Sequence, residues 1–339
     1  MRWLLARIGR WALLAALALI VLGFGIWGTL LLAFAGPRDG VVRAALVGGF
    51  CLASAGALIA LFIRRWRLRA MAGFALLVTA VMIFWSSLKP TNERDWQPDV
   101  VVLPYATVSD DEVTVHNIRN FDYRSETDYT VAYYDKRFDL RDLRSVDIVT
   151  SYWMGPAIAH VFVSFGFAGD QYLAVSIEVR KPKGEGYSTL KGFFRQYELI
   201  YVVADERDVI RLRTNYRRDP PEDVYVYRIR GSIEAARMFF MRYMERLNEL
   251  RTQPEFYNTL TTNCTTTIWM NAHVNPGYVP LSWKILESGY VPEYLYEQRR
   301  LEAMGLSFPE LQRRAYVNVR ARAADSAADF SRRIRVLGE

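Results

Sequence analysis

The chain is poor in the residues that build most catalytic and metal sites: 339 positions hold two cysteines and three histidines. Acids are nearly missing from the first 90 positions, where Asp39 stands alone against ten Lys or Arg. The remaining 249 residues hold 33 bases and 35 acids, so the formal charge of +7 belongs to the first segment. The basic excess therefore does not argue for nucleic acid. No P-loop and no GxGxxG is present, so nucleotide binding is not indicated. No HExxH or comparable spacing supports a hydrolytic metal site built from His116, His160 and the acids Asp110, Asp111 and Glu112. No metal and no cofactor is expected. Disorder is excluded for most of the chain by 51% hydrophobic and 14% aromatic content.

What the first 90 residues do have is three apolar runs without charge: Trp11–Ala35, Ala44–Ile63 and Ala70–Ser87. Each has about the 20 residues that a helix needs to cross hydrocarbon. A cleaved signal peptide is the alternative for the first run, but the run is too long for a signal core and two more follow. No acid, base or His lies inside a run, so no proton path or ion site is expected. Cys51 reads as a small packing residue. Trp27, Trp66 and Trp85 sit near run ends, as interfacial aromatics do. Seven bases flank one side of the three runs and three the other. That bias predicts a cytoplasmic N-terminus, an inner-membrane anchor over 1–90, and everything after Lys89 in the periplasm.

A polar linker, 91–98, precedes a domain over 99–339. Its first half is strand-like. Val100–Leu103 and Val113–His116 flank a turn at Ser109-Asp110-Asp111, and Tyr129–Tyr134, Val146–Tyr152, Leu199–Val203 and Val224–Ile229 are rich in β-branched and aromatic residues. His160–Phe167 and Tyr172–Val179 form the clearest hairpin. Ser232–Arg251 reads as a helix capped by Ser232, a shorter helix starts near Asn263, and the tail Val319–Arg335 reads as a helix that frays. The fold class predicted is α+β, an antiparallel sheet with helices packed on it.

Cys264 is the domain's one cysteine, an unpaired thiol in an oxidising compartment. It follows Thr262 and Asn263, either of which can cap a helix, so the sulfur falls in a first turn. Free backbone N–H groups and the helix dipole favour thiolate there and can hold an oxyanion. The alternative is a buried small hydrophobe. A thiolate nucleophile needs a base. His273 lies nine residues on, which is about 900° of rotation and 13 Å of rise on one helix, out of reach. His116 ends a strand among acids and suits the surface. His160 opens an apolar strand and remains, as a base or as a satisfied core group.

Along 160–167 the odd residues Val161, Val163, Phe165 and Phe167 share a face; along 172–179 Val175, Ile177 and Val179 do. Facing both rows to one core pairs even residues with even ones. A three-residue loop, Ala168–Asp170, achieves that and sets His160 opposite Glu178. A carboxylate beside an imidazole fixes its tautomer and stabilises its charged form. The alternative is an ordinary polar outer face. Ser164, Ser176 and Asn263 are the candidate substrate-binding residues. The charges Arg119, Asp122, Arg124 and Glu126, and Asp205–Asp208, read as solvated loops or as the lining of a groove.

The blocks NIRNFDYRSETDY (117–129), AHVFVSFGF (159–167), SIEVRKPKGEGYS (176–188), YELIYVVADERD (197–208), RTNYR (213–217) and LTTNCTT (260–266) resemble the Lnb N-terminal periplasmic domain family, over roughly 100–315. More distantly, a His opening a strand and a later Asn-Cys opening a helix resemble the circularly permuted NlpC/P60 group of papain-like thiol enzymes, lecithin retinol acyltransferase-like enzymes among them. That resemblance implies His160 as base, Glu178 as orienting residue and Cys264 as nucleophile. Glu178 lies farther from the His than that group's usual third residue, and a long helix intervenes before Cys264. The activity implied is hydrolysis or transfer of an acyl group on a cell-envelope amide, ester or thioester, with a peptidoglycan peptide or a lipid or lipoprotein as partner. The alternative is a papain-like scaffold that binds an envelope partner without catalysis.

The charge bias generates a direct test. A reporter active only outside the cytoplasm, fused after Glu339, should be active. Activity of a cytoplasm-only reporter at that position would overturn the assignment of sides.

Overall fold

The computed structural model describes residues 1–335, so the last four residues of the predicted 99–339 domain lie outside the described ones. The chain divides into two compact units, Met1–Pro90 with Ser188–Gln196, and Thr91–Tyr187 with the chain from Tyr197 on. The first unit contains α1 (Arg2–Ala35), α2 (Gly40–Ala60) and α3 (Arg67–Ser87), each long and apolar enough to cross a membrane. The Asp39 carboxylate caps α2, accepting from the Val42 N–H at 2.9 Å. Val21, Ala57 and Phe74 pack between the helices. Leu52 and Leu76 stay exposed, a surface suited to lipid rather than water. Cys51 also faces outward, which corrects its reading as a packing residue. The short excursion Ser188–Gln196, with the single turn α4 (Thr189–Gly192), belongs to this unit through buried Phe194.

The second unit is built on a sheet of eight strands. These are β1 (Tyr105–Ser109), β2 (Glu112–Arg119), β5 (Tyr133–Asp139), β6 (Leu143–Tyr152), β7 (Ala159–Phe167), β8 (Gln171–Arg180), β9 (Glu198–Ala204) and β10 (Asp223–Arg228); β3 (Asp122–Tyr123) and β4 (Tyr129–Thr130) pair apart. The order is β1-β2-β9-β8-β7-β6-β10, with β5 also on β2. The predicted antiparallel sheet is in fact mixed, because β2 meets β9 in parallel through Arg119 and Ala204. These strands are joined by no hairpin, so no tight turn fixes their direction. Val100–Leu103 is not a strand. The Arg180 guanidinium takes the Val100 and Val101 carbonyls at 3.0 and 2.8 Å and holds that stretch as coil. The 91–98 linker is also fixed: Trp96 is buried under Arg180, and Asn92 donates to the Leu250 and Arg251 carbonyls.

The β7–β8 hairpin turns at Ala168–Asp170, where Gly169 and Asp170 have positive φ, and pairs Phe167 with Gln171 through Val163 with Val175. The odd row, with Val163, Phe165, Phe167, Val175 and Ile177, packs under α6 (Ile233–Thr252) through Phe240, Tyr243 and Met244. Ser232 caps α6, accepting from the Ala235 N–H at 3.1 Å. The even row is no solvent face. Phe162 and Ala174 join Ile200 and Val202 in a second core. That core is covered by Val209 on α5 (Glu206–Arg211), Ala321 on α11 (Asn318–Ala323) and Phe330 on α12 (Phe330–Arg333). Burial on both sides explains the nearly unbroken apolar run of β9. Between α6 and the tail lie α7 (Cys264–Ala272), α8 (Trp283–Leu286), α9 (Val291–Glu297) and α10 (Phe308–Ala315). The tail is two short helices instead of one fraying helix. Phe330 and Ile334 are fully buried, and Arg335 bonds Asp147 and Glu206.

Phe165 is fully buried, with Phe240 and Tyr243 at ring distances of 5.0 and 5.7 Å. Phe165→Ala should cost about 3–5 kcal/mol, read as a lowered unfolding midpoint of the detergent-solubilised chain. An unchanged midpoint would mean that α6 does not close the core on this face.

Candidate functional site

Pairing between β7 and β8 stops at Val163 and Val175. Beyond that point His160 on β7 and Ser176 and Glu178 on β8 still share the even face. The His160 Nε2 lies 2.6 Å from the Ser176 Oγ, and the Ser176 hydroxyl donates to the Glu178 Oε1 at 2.8 Å. The direct Nε2–Oε1 separation is 3.6 Å. An ionised carboxylate only accepts, so the serine proton goes to Glu178 and the serine oxygen accepts from the imidazole N–H. Glu178 thus acts on His160 chiefly through Ser176.

Glu178 is held in turn by Arg213, whose Nη2 lies 2.9 Å from Oε1. Arg213 is almost wholly buried, rests over the Phe162 ring and donates to the Val209 carbonyl. Its Nε lies 3.8 Å from Glu222, which pairs with Arg217 at 2.6 Å and accepts from the Ser151 hydroxyl. Burial pushes the Glu178 carboxyl up, but the Arg213 charge and His160 outweigh it, and the acid is held well below its usual range.

Cys264 is the first residue of α7, and Asn263 caps the helix in a reciprocal pair with Thr266. The Asn263 side-chain Oδ1 accepts from the Thr266 N–H at 2.9 Å, and the Thr266 hydroxyl accepts from the Asn263 N–H at 3.0 Å. The Thr265 hydroxyl donates to the Ile285 carbonyl at 2.6 Å, which pins the first turn. The sulfur lies near His160 and near the backbone N–H groups of Val161 and Thr265. Burial pushes the Cys264 thiol up, but the neighbouring His160, with those N–H groups, brings it below its ordinary value. Burial pulls His160 down, but the neighbouring Cys264 and the Glu178 carboxylate push it up to about 9. The pair therefore favours thiolate beside imidazolium. His160 and Cys264 both keep some exposure.

The loop entering β7 is clamped from another side. The Gly289 N–H donates to the Ala157 carbonyl at 3.0 Å, and the Ala159 N–H to the Ser288 hydroxyl at 2.9 Å. A side chain at Gly289 would stand 2.0 Å from the Pro156 carbonyl oxygen, so this approach requires glycine.

The other predicted residues fall elsewhere. Ser164 is fully buried and donates to Glu206 at 2.5 Å, so no substrate reaches it. Ser176 links His160 to Glu178, and Asn263 is occupied as a cap, its amide donating to the Thr259 carbonyl. His116 pairs with Asp135 at 2.7 Å, and His273 ends α7, bonded to the Trp269 carbonyl. Not all of the charges read as solvated loops are exposed. Arg119 and Asp208 form a buried pair at 2.8 Å that also takes the Phe121 N–H and the Tyr123 hydroxyl, and Glu206 is buried too. Arg124 pairs with Asp128 at the surface. Arg213 was missed as a site residue; RTNYR marked it only as part of a block, since no spacing ties it to Glu178.

Residues 129–289 match the family described as the Lnb N-terminal periplasmic domain. No curated protein and no solved structure matches the chain. His160, Ser176, Glu178, Arg213 and Cys264 all lie within the matched stretch. With three membrane-length helices ahead of a periplasmic domain, this is a membrane-anchored periplasmic protein.

Arg213→Met would leave Glu178 and Glu222 without their shared buried cation. Loss of one partner of such a group costs about 3–5 kcal/mol. The expected result is a markedly lower unfolding midpoint. A midpoint equal to that of the unsubstituted chain would show that the charge row does not hold the site together.

Proposed function

We propose that the periplasmic domain is a thiol hydrolase or acyltransferase, with Cys264 as nucleophile, His160 as acid and base, and Glu178 as orienting group. The observation that carries this reading is the placement of a helix-start thiol beside an imidazole that is itself tethered, through Ser176, to a half-buried carboxylate. The order of His on a strand and Cys at a later helix start supports kinship with the permuted NlpC/P60 papain-like folds. The bias of seven bases to three supports an inner-membrane anchor with its N-terminus in the cytoplasm.

The Cys264 thiolate adds to the carbonyl carbon of an envelope amide, ester or thioester, and the carbonyl electron pair moves onto oxygen. The Cys264 N–H, at the start of α7, holds that oxyanion. As the oxyanion collapses, the bond to the amine, alcohol or thiol breaks, and imidazolium gives the departing group its proton. The acyl group is left on sulfur. Water, or an acceptor amine or alcohol, then attacks the thioester while His160 takes the proton of the attacking group, and the thiolate departs. With Nε2 held by Ser176, Nδ1 is the nitrogen that meets the sulfur and the leaving group. Glu178 keeps the ring turned that way and stabilises its charge. The substrate carries a peptidoglycan peptide bond or a lipid or lipoprotein acyl group.

The pH dependence follows from the two shifts. On the acid side, reactivity falls as the sulfur takes up its proton, below the ordinary thiol value of about 8.5. On the alkaline side, general-acid help is lost as His160 gives up its proton near 9. Alkylation of Cys264 by iodoacetamide in a Cys51→Ala chain should persist well below pH 8.5, and His160→Ala should remove that acid-side reactivity. With an acyl probe, Glu178→Gln should lower labelling less than His160→Ala, because a base matters more than its orientation. Modification of Cys264 only after unfolding would sink the proposal and favour a scaffold that binds an envelope partner without catalysis.

A further inference from the structure

The connection from β8 to β9 runs from Lys181 to Tyr197, far longer than a hairpin needs. Its second half, Ser188–Gln196, belongs to the unit of the three apolar helices. Phe194 is buried in the cluster that contains Leu31, Leu32, Phe50 and Val81, with its ring 5.5 Å from that of Phe34 and 6.5 Å from that of Trp85. Arg195 donates to the Trp85 carbonyl at 2.7 Å and lies over the Trp85 ring at 4.4 Å. Phe34 is in the last turn of α1, and Trp85 in the last turn of α3. The segment is therefore fastened where α1 and α3 end together, the level at which a membrane gives way to water.

Beside these anchors, Leu190 is 54% exposed and Phe193 37% exposed. In water this apolar surface has no cover. At the end of a bundle that crosses a membrane, lipid supplies it. Lys191 lies between the two apolar residues and Arg195 follows them, and positive charge interleaved with apolar side chains is the pattern of an element that lies in the headgroup layer with its apolar side chains turned into the acyl boundary. We propose that Ser188–Gln196 is a membrane-interface element whose Leu190 and Phe193 insert among the lipids of the leaflet at the α1 and α3 ends. This inference rests on the segment's own geometry and does not require the thiol chemistry.

The test uses the full chain with Cys51→Ala and Cys264→Ala, reconstituted in vesicles of phosphatidylethanolamine and phosphatidylglycerol. Leu190→Cys, Phe193→Cys and, as an aqueous control, the exposed Thr127→Cys are each spin-labelled, and collision with oxygen is compared with collision with a water-soluble nickel chelate. Labels at 190 and 193 should give a positive depth parameter, oxygen prevailing over nickel, and the label at 127 a negative one. All three positions carry exposed or half-exposed side chains, so labelling leaves the cores intact. Labels at 190 and 193 that collide with nickel as the Thr127 label does would overturn the proposal.

Discussion

The site depends on the point at which two neighbouring strands stop pairing. Up to Val163 and Val175, β7 and β8 satisfy each other's backbone; past it, β7 has donors without a strand to receive them. The Cys264 sulfur stands near the Val161 N–H at that strand end, a placement that favours negative charge on sulfur. It also brings α7, whose Ile268 packs against the core of the odd face, into reach of His160 on the even face. A ladder continued to residue 160 would fill the gap and separate thiol from imidazole.

Charge is then distributed so that each member of the site is partnered. Cys264 faces the imidazole, imidazole N–H meets Ser176, Ser176 meets Glu178, and Glu178 meets Arg213. The row continues through Glu222 to Arg217. Burying an isolated carboxylate is costly, and the cost is offset only when a cation and hydrogen bonds stand beside it. Among the described residues, Arg213 is the one cation paired with both acids. Its place on the irregular turn Leu212–Tyr216 after α5 ties that turn, and through it the even-face core, to the His160–Ser176–Glu178 row.

How much of this was legible in the sequence differs by element. The three apolar helices, the β7–β8 loop, the even-to-even register and the α7 start follow from alternation, run length and capping residues, which are local signals. The contact of β2 with β9, the coil at Val100–Leu103 and the buried Arg119–Asp208 pair were not legible, because each joins residues distant in the chain. The alternation places Ser176 on the right face, as a candidate substrate-binding residue and not as a bridge. Its bridging position depends on how far β7 and β8 splay, which no periodicity encodes. The tail was misread for a similar reason: Phe330 and Ile334 look like an amphipathic end until the even face of the sheet is known to need a second cover.

His160 is finally held from three directions that have no sequence proximity. Ser176 fixes one ring nitrogen from β8, Cys264 approaches from α7, and the 288–289 segment clamps the strand entry at Ala157 and Ala159. Tyr152, paired with Ala159 across β6 and β7, closes the clamp by donating to the Gly289 carbonyl at 2.7 Å. An imidazole at the end of a strand would otherwise be free to move away from the sulfur. The bonds at Ala157 and Ala159 fix the backbone from which the ring projects. Ser176, backed by Glu178, then fixes the turn of the ring itself, so orientation at this site needs both the clamped strand entry and the carboxylate behind the serine.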